Sequence, residues 1–350
     1  MQRAFLFWWL LATLVAAEEL RLVQFTDVHA SGPYYSASAF EQASREGLAQ
    51  NPHGVLLTGD HGDNSSRPES FAQRFAQAVE LWREPLSHYR GEVFFALGND
   101  DFGNNYQSYP EDLRETYYTC LDTFGQRYYL DELGNGEAPS RLGGFRWLTI
   151  NSQLFSPWNQ TPQAPDQAKA TLRWLGARLQ SEAGAAPVML LSHIAPTWDL
   201  YFRKPAWKDE YLVELRHILQ AYPGQVMIFS GHNHRNHLQA MRPERPIAIM
   251  TAGALATKYG YQPNWREISC QPGSSEISYT LHYPGHPEWT SSYQFQPALV
   301  ANFLTQLLGN SNFYTRYARD VFGNHKDADR WAQDPKIRQA ILDEFWVKTR

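Results

Sequence analysis

The sequence has little cysteine and no surplus of basic residues. Two cysteines in 350 residues cannot build a disulfide scaffold or a four-cysteine zinc site. With 36 acidic and 31 basic side chains, the net charge of −5 excludes the positive surface of a general nucleic-acid binder, so no stable nucleic-acid complex is expected. Histidine is plentiful by comparison, with 12 residues. Any metal site is therefore expected to use nitrogen and oxygen ligands.

The sequence also lacks long apolar runs, except for one at the N-terminus. Arg3 precedes an apolar stretch from Ala4 to Val15, and small residues follow at 16 and 17. This pattern is typical of a signal peptide over residues 1–17, and it predicts a secreted or periplasmic protein. An uncleaved N-terminal anchor is the alternative. No later segment approaches 18 consecutive apolar residues, so no membrane span is predicted in the mature chain.

The predicted compartment affects the oxidation state of the two cysteines. In an oxidising environment Cys120 and Cys270 can form a single disulfide. Their spacing does not decide between this disulfide and two free buried thiols, so both readings stay open.

From residue 20 onward, short β-rich runs alternate with longer helical patterns. Strands are predicted over residues 20–25, 54–58, 92–97, 145–150, 187–191 and 225–229, with further strands near 247–252, 277–283 and 292–295. Apolar residues recur at helical spacing over 71–82, 172–179 and 211–219. This alternation predicts an α/β fold, with one domain over residues 18–296. After Pro297 only helical patterns occur, which predicts a C-terminal helical extension over 297–350 or a cap over the sheets.

Polar clusters follow five of the predicted strands. The residues in these clusters are Asp27 and His29, Asp60, Asn99 with Asp100, His193, and His232 with His234. Each cluster alone is explained by a turn or a buried hydrogen bond. Five clusters at strand ends together predict a site at one edge of the fold. With Asp100 set aside, two carboxylates, one amide and four imidazoles can hold two divalent cations if one carboxylate bridges them.

This ligand set predicts a reaction as well as a cofactor. Mixed imidazole and oxygen ligands suit Zn²⁺, Mn²⁺ or Fe. Two such ions generate a hydroxide near neutral pH and hold the attacking and leaving oxygens of an in-line displacement, as in hydrolysis of phosphate esters and anhydrides. The substrate is thus expected to be a small phosphorylated molecule. The negative net charge is no obstacle, because the ions supply the local positive field.

The order DxH, GD, GN, H and GHxH resembles the calcineurin-like metallophosphoesterase superfamily. More narrowly, segments 190–196 and 229–235 are similar to the acid sphingomyelinase-like phosphodiesterase branch, and the likeness extends over about residues 20–283. The resemblance implies two mixed β-sheets packed as a sandwich flanked by helices. It also implies two metal sites that share Asp60. These are Asp27, His29, Asp60 and His234 for one ion, and Asp60, Asn99, His193 and His232 for the other.

Two positions depart from the superfamily pattern. Asp100 stands where the pattern usually has a histidine that protonates the leaving group, and Asn64 stands where sphingomyelinase-like members tend to carry another. Endopolyphosphatases, a weaker likeness, also have a non-histidine at the first position. Asp100 and His61 are the predicted substitutes for the acid, and Asp63 is a third candidate. If Asp100 is the acid, Asp100→Asn should slow poor leaving groups most.

A missing acid matters least when the leaving group is good. The predicted function is therefore a secreted dinuclear-metal phosphoesterase that cleaves phosphodiester or phosphoanhydride bonds by attack of a metal-bound hydroxide. Nucleotide- or polyphosphate-like substrates are favoured over sphingomyelin. The alternative is a catalytically weak metal-binding protein on the same scaffold that acts by binding a ligand.

Overall fold

The fold is described from a computed structural model of the chain. The structure describes residues 19–63, 71–102, 129–131, 133–181, 185–199, 204–241, 247–257, 260–271, 274, 276–296, 300–322, 333–336, 339 and 346–347. The predicted signal peptide and Cys120 lie outside these residues. Cys270 is a buried free thiol, so the disulfide, one of the two readings left open by the sequence, is not seen.

The described residues form sixteen strands and six α-helices. The strands are β1 (Leu20–Phe25), β2 (Gly54–Thr58), β3 (Glu92–Ala96), β4 (Tyr129–Leu130), β5 (Gly136–Glu137), β6 (Arg146–Ile150), β7 (Val188–Ser192), β8 (Trp198–Asp199), β9 (Lys204–Pro205), β10 (Val226–Ser230), β11 (His237–Met241), β12 (Ile247–Thr251), β13 (Trp265–Cys270), β14 (Ile277–His282), β15 (Ser291–Phe295) and β16 (Trp346–Val347). The helices are α1 (Ala37–Ala49), α2 (Phe71–Leu86), α3 (Ala164–Gln180), α4 (Asp209–Ala221), α5 (Val300–Gly309) and α6 (Ser311–Phe322).

The strands build two mixed sheets that pack on each other. The first sheet has the order β15-β14-β13-β1-β2-β3, and the second has the order β16-β11-β12-β10-β7-β6-β5-β4. A shared hydrophobic core fills the space between them, where Phe94 of β3 stacks on Trp147 of β6 with ring centroids 3.7 Å apart. A second core lies between β6, β7 and β10 and the helices α3 and α4. The predicted α/β sandwich of two mixed sheets flanked by helices is confirmed.

Some elements had no clear sequence signal. Helix α1 has only Phe40, Ala43, Ser44 and Gly47 on its buried side, so it lacks the stripe of large apolar residues that marks α2. Its start is set instead by Ser36, whose side chain accepts a hydrogen bond from the backbone N–H of Ala39. Strands β11 and β13 were also not predicted as separate strands.

The C-terminal segment differs from the prediction of helices alone. Helices α5 and α6 are present as predicted, but Trp346 and Val347 form β16, which pairs in parallel with β11. Most of the third predicted helix lies outside the described residues. Asp320 of α6 accepts hydrogen bonds from the hydroxyl groups of Tyr283 and Tyr293, so α6 packs directly on the first sheet. In the part of the chain that the structure covers, no helix is long and apolar enough to cross a membrane.

Candidate metal centre

The predicted ligands lie in loops at the carboxyl ends of five strands. Neighbouring strands run parallel and end at the same level, because Phe25 of β1 pairs with Leu57 of β2 and Leu191 of β7 pairs with Phe229 of β10. Strand β3 is parallel to β2 as well. The loops after β1, β2, β3, β7 and β10 therefore come together at one edge of the sandwich, where α/β proteins commonly build their sites.

Two separate groups of acidic and histidine side chains converge at this edge, and a third group, His29, Asp60 and Asp100, overlaps both of them. The first group consists of Asp27, His29 and His234, and the second of Asp60, His193 and His232. Within each group, the candidate ligand atoms lie within 4.8 Å of one another. Nε2 of His234 is 3.0 Å from Nε2 of His29 and 3.3 Å from Oδ1 of Asp27. The sheet topology thus assembles six of the seven predicted metal ligands into two sets of three.

Asp60 connects the two groups. Its Oδ2 lies 3.2 Å from Nε2 of His193 in the second group and 3.8 Å from Nε2 of His29 in the first. Its Oδ1 accepts a hydrogen bond of 2.8 Å from the backbone N–H of Asp100. Because one carboxylate faces imidazoles of both groups, Asp60 lies where a bridging ligand between two cations would be needed.

Backbone strain is concentrated at these ligands. Among described non-glycine residues, only Ser31 and Asn51 have a positive φ angle outside the ligand set. The ligands with positive φ are Asp27 (52°), His29 (48°), Asp60 (51°), His232 (76°) and His234 (55°). The left-handed conformation costs a residue with a Cβ atom roughly 1–2 kcal/mol. Strain of this kind persists at functional sites, because the surrounding structure compensates for it.

Hydrogen bonds from neighbouring loops hold the ligands in place. The backbone N–H of His232 donates to both carboxylate oxygens of Asp27, at 3.1 and 3.0 Å, and the Thr26 hydroxyl donates to Oδ2 of Asp27 at 2.7 Å. Nδ1 of His193 lies 2.7 Å from the carbonyl oxygen of Thr58. In the neutral imidazole this contact keeps the proton on Nδ1 and makes Nε2 the ligand atom.

The donor set fits divalent cations. Two ligands, each about 2.0–2.2 Å from the same ion, lie about 3–3.5 Å apart in ordinary coordination geometries. The His29–His234 and His193–Asp60 contacts, at 3.0 and 3.2 Å, have this spacing. The side chains of Asp27 and Asp60 are almost fully buried, so their negative charges need nearby positive charge. The chemistry of the donors and their burial therefore both match two bound cations.

Acidic neighbours keep two of the histidines protonated near neutral pH. Burial opposes the charged form of His29, but the Asp100 and Asp63 carboxylates, 3.2 and 3.4 Å from its Nδ1, raise its pKa to about 10. Burial likewise opposes the charge on His193, but the neighbouring Asp60 carboxylate raises the pKa of His193 to about 9. A cation that binds to these imidazoles must displace both protons.

We expect the affinity for divalent cations to rise steeply with pH. Cations bind the neutral imidazole, so below pH 9 binding releases one proton from His29 and one from His193. Release of two protons raises the association constant about 100-fold per pH unit. Competition against a chelating dye at pH values from 6 to 8, corrected for protonation of the dye, measures this slope. An association constant that does not change with pH would contradict the prediction.

Asn99 and Asp100 follow β3 and are buried beside the two groups. Nδ2 of Asn99 donates a hydrogen bond of 2.7 Å to Oδ1 of Asp100. A cation held by Asn99 would thus be bound through the amide oxygen. Oδ2 of Asp100 lies 3.2 Å from Nδ1 of His29. Both oxygens of the Asp100 carboxylate face predicted metal ligands.

His61, another predicted acid, lies in the hydrophobic core. Its ring stacks on Phe95 with centroids 4.1 Å apart and meets Phe75 at 71°. Its Nε2 lies 3.1 Å from the carbonyl oxygen of Ala96, and burial lowers its pKa to about 4. The backbone at Asp60 is left-handed, with a φ of 51°, and this turn directs the His61 ring away from the site that Asp60 faces. This placement removes His61 from the candidates for the acid.

Asp101 holds two of the site loops together, and no sequence signal distinguished its role. Its Oδ1 accepts hydrogen bonds from the backbone N–H groups of His61 (2.8 Å) and Gly62 (3.0 Å), and its Oδ2 accepts one from Gly98 (2.8 Å). The carboxylate thereby fixes the loop after β2 against the loop after β3. In the sequence, two adjacent aspartates do not reveal which one faces the backbone.

Comparisons with known proteins identify the family of the chain. The chain matches the model of the calcineurin-like phosphoesterase family over residues 20–236, which is more than half of its length. A relative, sphingomyelinase phosphodiesterase D of Dictyostelium discoideum, is 23% identical over 271 residues, which cover 70% of this chain. This chain spans about 60% of the length of that relative.

A solved structure shows the same fold. A dimetal phosphatase from Danio rerio superposes with a TM-score of 0.58 at 13% sequence identity, covering 79% of this chain and 99% of that protein. At this identity the likeness concerns the fold. The family is assigned from the sequence match, which covers the strand ends that carry the two ligand groups. The chain therefore belongs to the calcineurin-like phosphoesterase family.

Proposed function

We propose that this protein is an exported dinuclear-metal phosphoesterase that hydrolyses phosphodiester or phosphoanhydride bonds. The observation that carries the proposal is the position of Asp60, whose Oδ2 faces His193 of one ligand group and His29 of the other, at 3.2 and 3.8 Å. A single buried carboxylate between two imidazole groups is what a pair of neighbouring cations requires. Single-metal sites have no need of a shared carboxylate.

The chain's own residues hold and orient the cations. Asp27, His29 and His234 would bind one ion, and His193, His232 and Asn99 would bind the other, with Asp60 shared. Zn²⁺, Mn²⁺ and Fe are the ions that this nitrogen and oxygen donor set favours. When bound, two such ions supply the positive charge that activates the attacking water and stabilises charge on the phosphoryl oxygens.

The proposed substrate class rests on the lack of an identified histidine acid among the described residues of the site. No candidate acid is a histidine that faces the ligand groups. Asp100 is an aspartate that contacts His29, and the His61 ring packs in the hydrophobic core against Phe95. Loss of a general acid typically costs about 10²–10⁴-fold in rate, and least for good leaving groups. We therefore favour nucleotide- or polyphosphate-like substrates over sphingomyelin. The name of the Dictyostelium relative supports phosphodiester chemistry and membership of the sphingomyelinase-like branch.

Export is proposed from the N-terminal sequence pattern. Arg3, the apolar run from Ala4 to Val15 and the small residues before Glu18 form a signal peptide pattern. Expression with the native N-terminus, followed by mass determination of the mature protein, tests this. A mature chain that begins at Glu18 supports export, and a chain that retains residues 1–17 supports the anchor.

A substrate panel tests the enzymatic proposal. Purified protein reconstituted with Mn²⁺ or Zn²⁺ should hydrolyse an aryl phosphodiester, and it should cleave ATP, polyphosphate or dinucleotides faster than phosphocholine lipids. Preferred cleavage of the lipids would contradict the substrate class. Two bound ions without activity above that of an Asp60→Ala variant would favour the metal-binding alternative. Fewer than about one ion per chain after reconstitution would contradict both functions.

A further inference from the structure

Asp100 contacts each part of the metal centre. Its Oδ2 lies 3.2 Å from Nδ1 of His29, a member of the first ligand group. Its Oδ1 accepts a 2.7 Å hydrogen bond from Nδ2 of Asn99, the amide assigned to the second ion. Its backbone N–H donates a 2.8 Å hydrogen bond to Oδ1 of Asp60, which lies between the two groups.

We propose that Asp100 is a positioning residue for both cations and not the proton donor to the leaving group. Its carboxylate lies within ion-pair distance of Nδ1 of His29, which favours a proton on Nδ1, leaves Nε2 as the ligand atom and increases the basicity of Nε2. It also turns the Asn99 amide so that the amide oxygen is directed to the cation. The inference rests on the proposed function for the presence of two cations at these ligands.

The geometry of the Asp100 carboxylate disfavours a role as acid. A proton donor must present an O–H to the leaving group, but both oxygens of Asp100 already face side chains that bear N–H groups, on His29 and Asn99. A protonated oxygen would oppose one of these donors. The side chain is also only 4% exposed, so a substrate would have to displace one of the contacts to reach it. The ionised carboxylate satisfies both neighbours.

Asp63 provides an internal comparison. Its Oδ1 lies 3.4 Å from the same Nδ1 of His29, so His29 has two carboxylate neighbours on one nitrogen. Asp63 is more exposed than Asp100, with 15% against 4% of the side chain accessible. The structure gives Asp63 an ion-pair contact with the first ligand group only. Loss of Asp63 is therefore expected to affect one cation, whereas loss of Asp100 affects two.

Metal titrations of Asp100→Asn and Asp63→Asn test the inference. Asparagine has one acceptor and one donor, so at position 100 it cannot accept from both His29 and Asn99. We expect Asp100→Asn to weaken both metal-binding steps about 10- to 100-fold and Asp63→Asn to weaken one step, since partners of metal ligands carry effects of this size. Zn²⁺ binding is followed by competition with a chelating dye, which requires no catalytic activity. Asp166→Asn, an exposed carboxylate in the first turn of α3, serves as the matched control.

Leaving-group dependence separates positioning from acid catalysis. With a series of aryl phosphodiesters, Asp100→Asn should lower kcat/KM by a similar factor for every leaving group, and excess metal should restore much of the loss. Unchanged metal binding with a loss confined to poor leaving groups would show that Asp100 is the acid and overturn the inference. Unchanged binding and unchanged rates would overturn it as well.

The test of Asp100 remains decisive if one variant does not fold or if the proposed function is wrong. If circular dichroism shows that Asp100→Asn does not fold, the same titration is carried out on Asp100→Ala, for which unchanged affinity at both binding steps overturns the inference. If the wild-type protein binds two ions but hydrolyses no substrate, the proposed function fails while the titration still decides the role of Asp100.

Discussion

Asp60→Ala is expected to abolish phosphoester hydrolysis, with a loss of more than about 10³-fold, because even partners of metal ligands typically contribute 10- to 100-fold. Asp60 is buried between the two ligand groups, and its Oδ2 lies 3.2 Å from His193 and 3.8 Å from His29. Neighbouring histidines, foremost His193, hold the pKa of Asp60 well below its usual value against the effect of burial, so the carboxylate is charged at any working pH. Its removal takes a ligand from both ions at once.

The measurement is kcat/KM for an aryl phosphodiester together with the metal content per chain. Asp166→Ala is the matched control, because Asp166 is an exposed aspartate of α3 away from the strand ends. It should retain wild-type rate and metal content. An Asp60→Ala protein that is folded, binds two ions and keeps more than a tenth of the activity would remove Asp60 from the bridging position.

Gly98→Ala is expected to lower activity by about 10²-fold or more, since a misplacement of 1 Å in a catalytic site can have this effect. A Cβ atom at position 98 would lie 2.1 Å from Oδ1 of Asp60 and 2.3 Å from the backbone nitrogen of Asp60. A flexible side chain can move aside, but a backbone nitrogen moves only with its loop. The added methyl group therefore shifts the Asp60 carboxylate away from the two imidazoles. Overpacking of this kind also typically destabilises a protein by about 1–3 kcal/mol.

Gly176→Ala is the matched control for this substitution. Gly176 lies within α3, and a Cβ there would meet Ile218 at an ordinary contact distance of 3.7 Å. Alanine favours the helix over glycine by about 0.5–1 kcal/mol, so this variant should be slightly more stable and fully active. Activity, metal content and urea denaturation of both variants give the comparison. A Gly98→Ala protein with wild-type rate and two ions would show that the loop after β3 adapts freely.

The strand ends could be predicted from the sequence because the apolar runs and polar residues that mark them lie close together in the chain. Apolar runs such as Gly54–Thr58 and Val226–Ser230 must be covered on both faces, and each ends at a polar cluster within two residues. Carboxyl ends of parallel strands share one edge, so the clusters were expected to meet. The structure brings Asp27, His29 and His234 together on this basis, and Asp60 joins the second set.

The direction in which each side chain points could not be predicted from the sequence in the same way. His61 and Asp60 are neighbours with equally plausible chemistry, yet the left-handed turn at Asp60, with φ of 51°, sends one carboxylate into the site and one imidazole against Phe95. Asp100 and Asp101 are likewise adjacent residues of the same type, so the sequence does not show which of them faces the site. Only the contacts across loops show that Asp100 faces His29 while Asp101 accepts backbone N–H groups from the loop after β2.

The sequence by itself determined the class of fold, the edge at which the site forms and the chemical nature of the ligands, because hydrophobic period and residue type act over a few residues. The tertiary structure alone decided that Asp60 lies between the two groups, that His61 belongs to the core and that Asp100 contacts His29 and Asn99. Most of these choices depend on contacts between loops far apart in the sequence, with 40 residues from Asp60 to Asp100 and 205 from His29 to His234. They also depend on strained backbone angles, such as the φ of 55° at His234. Long-range packing also places Trp346 and Val347 at the edge of the second sheet, although no local pattern predicts a strand at these residues.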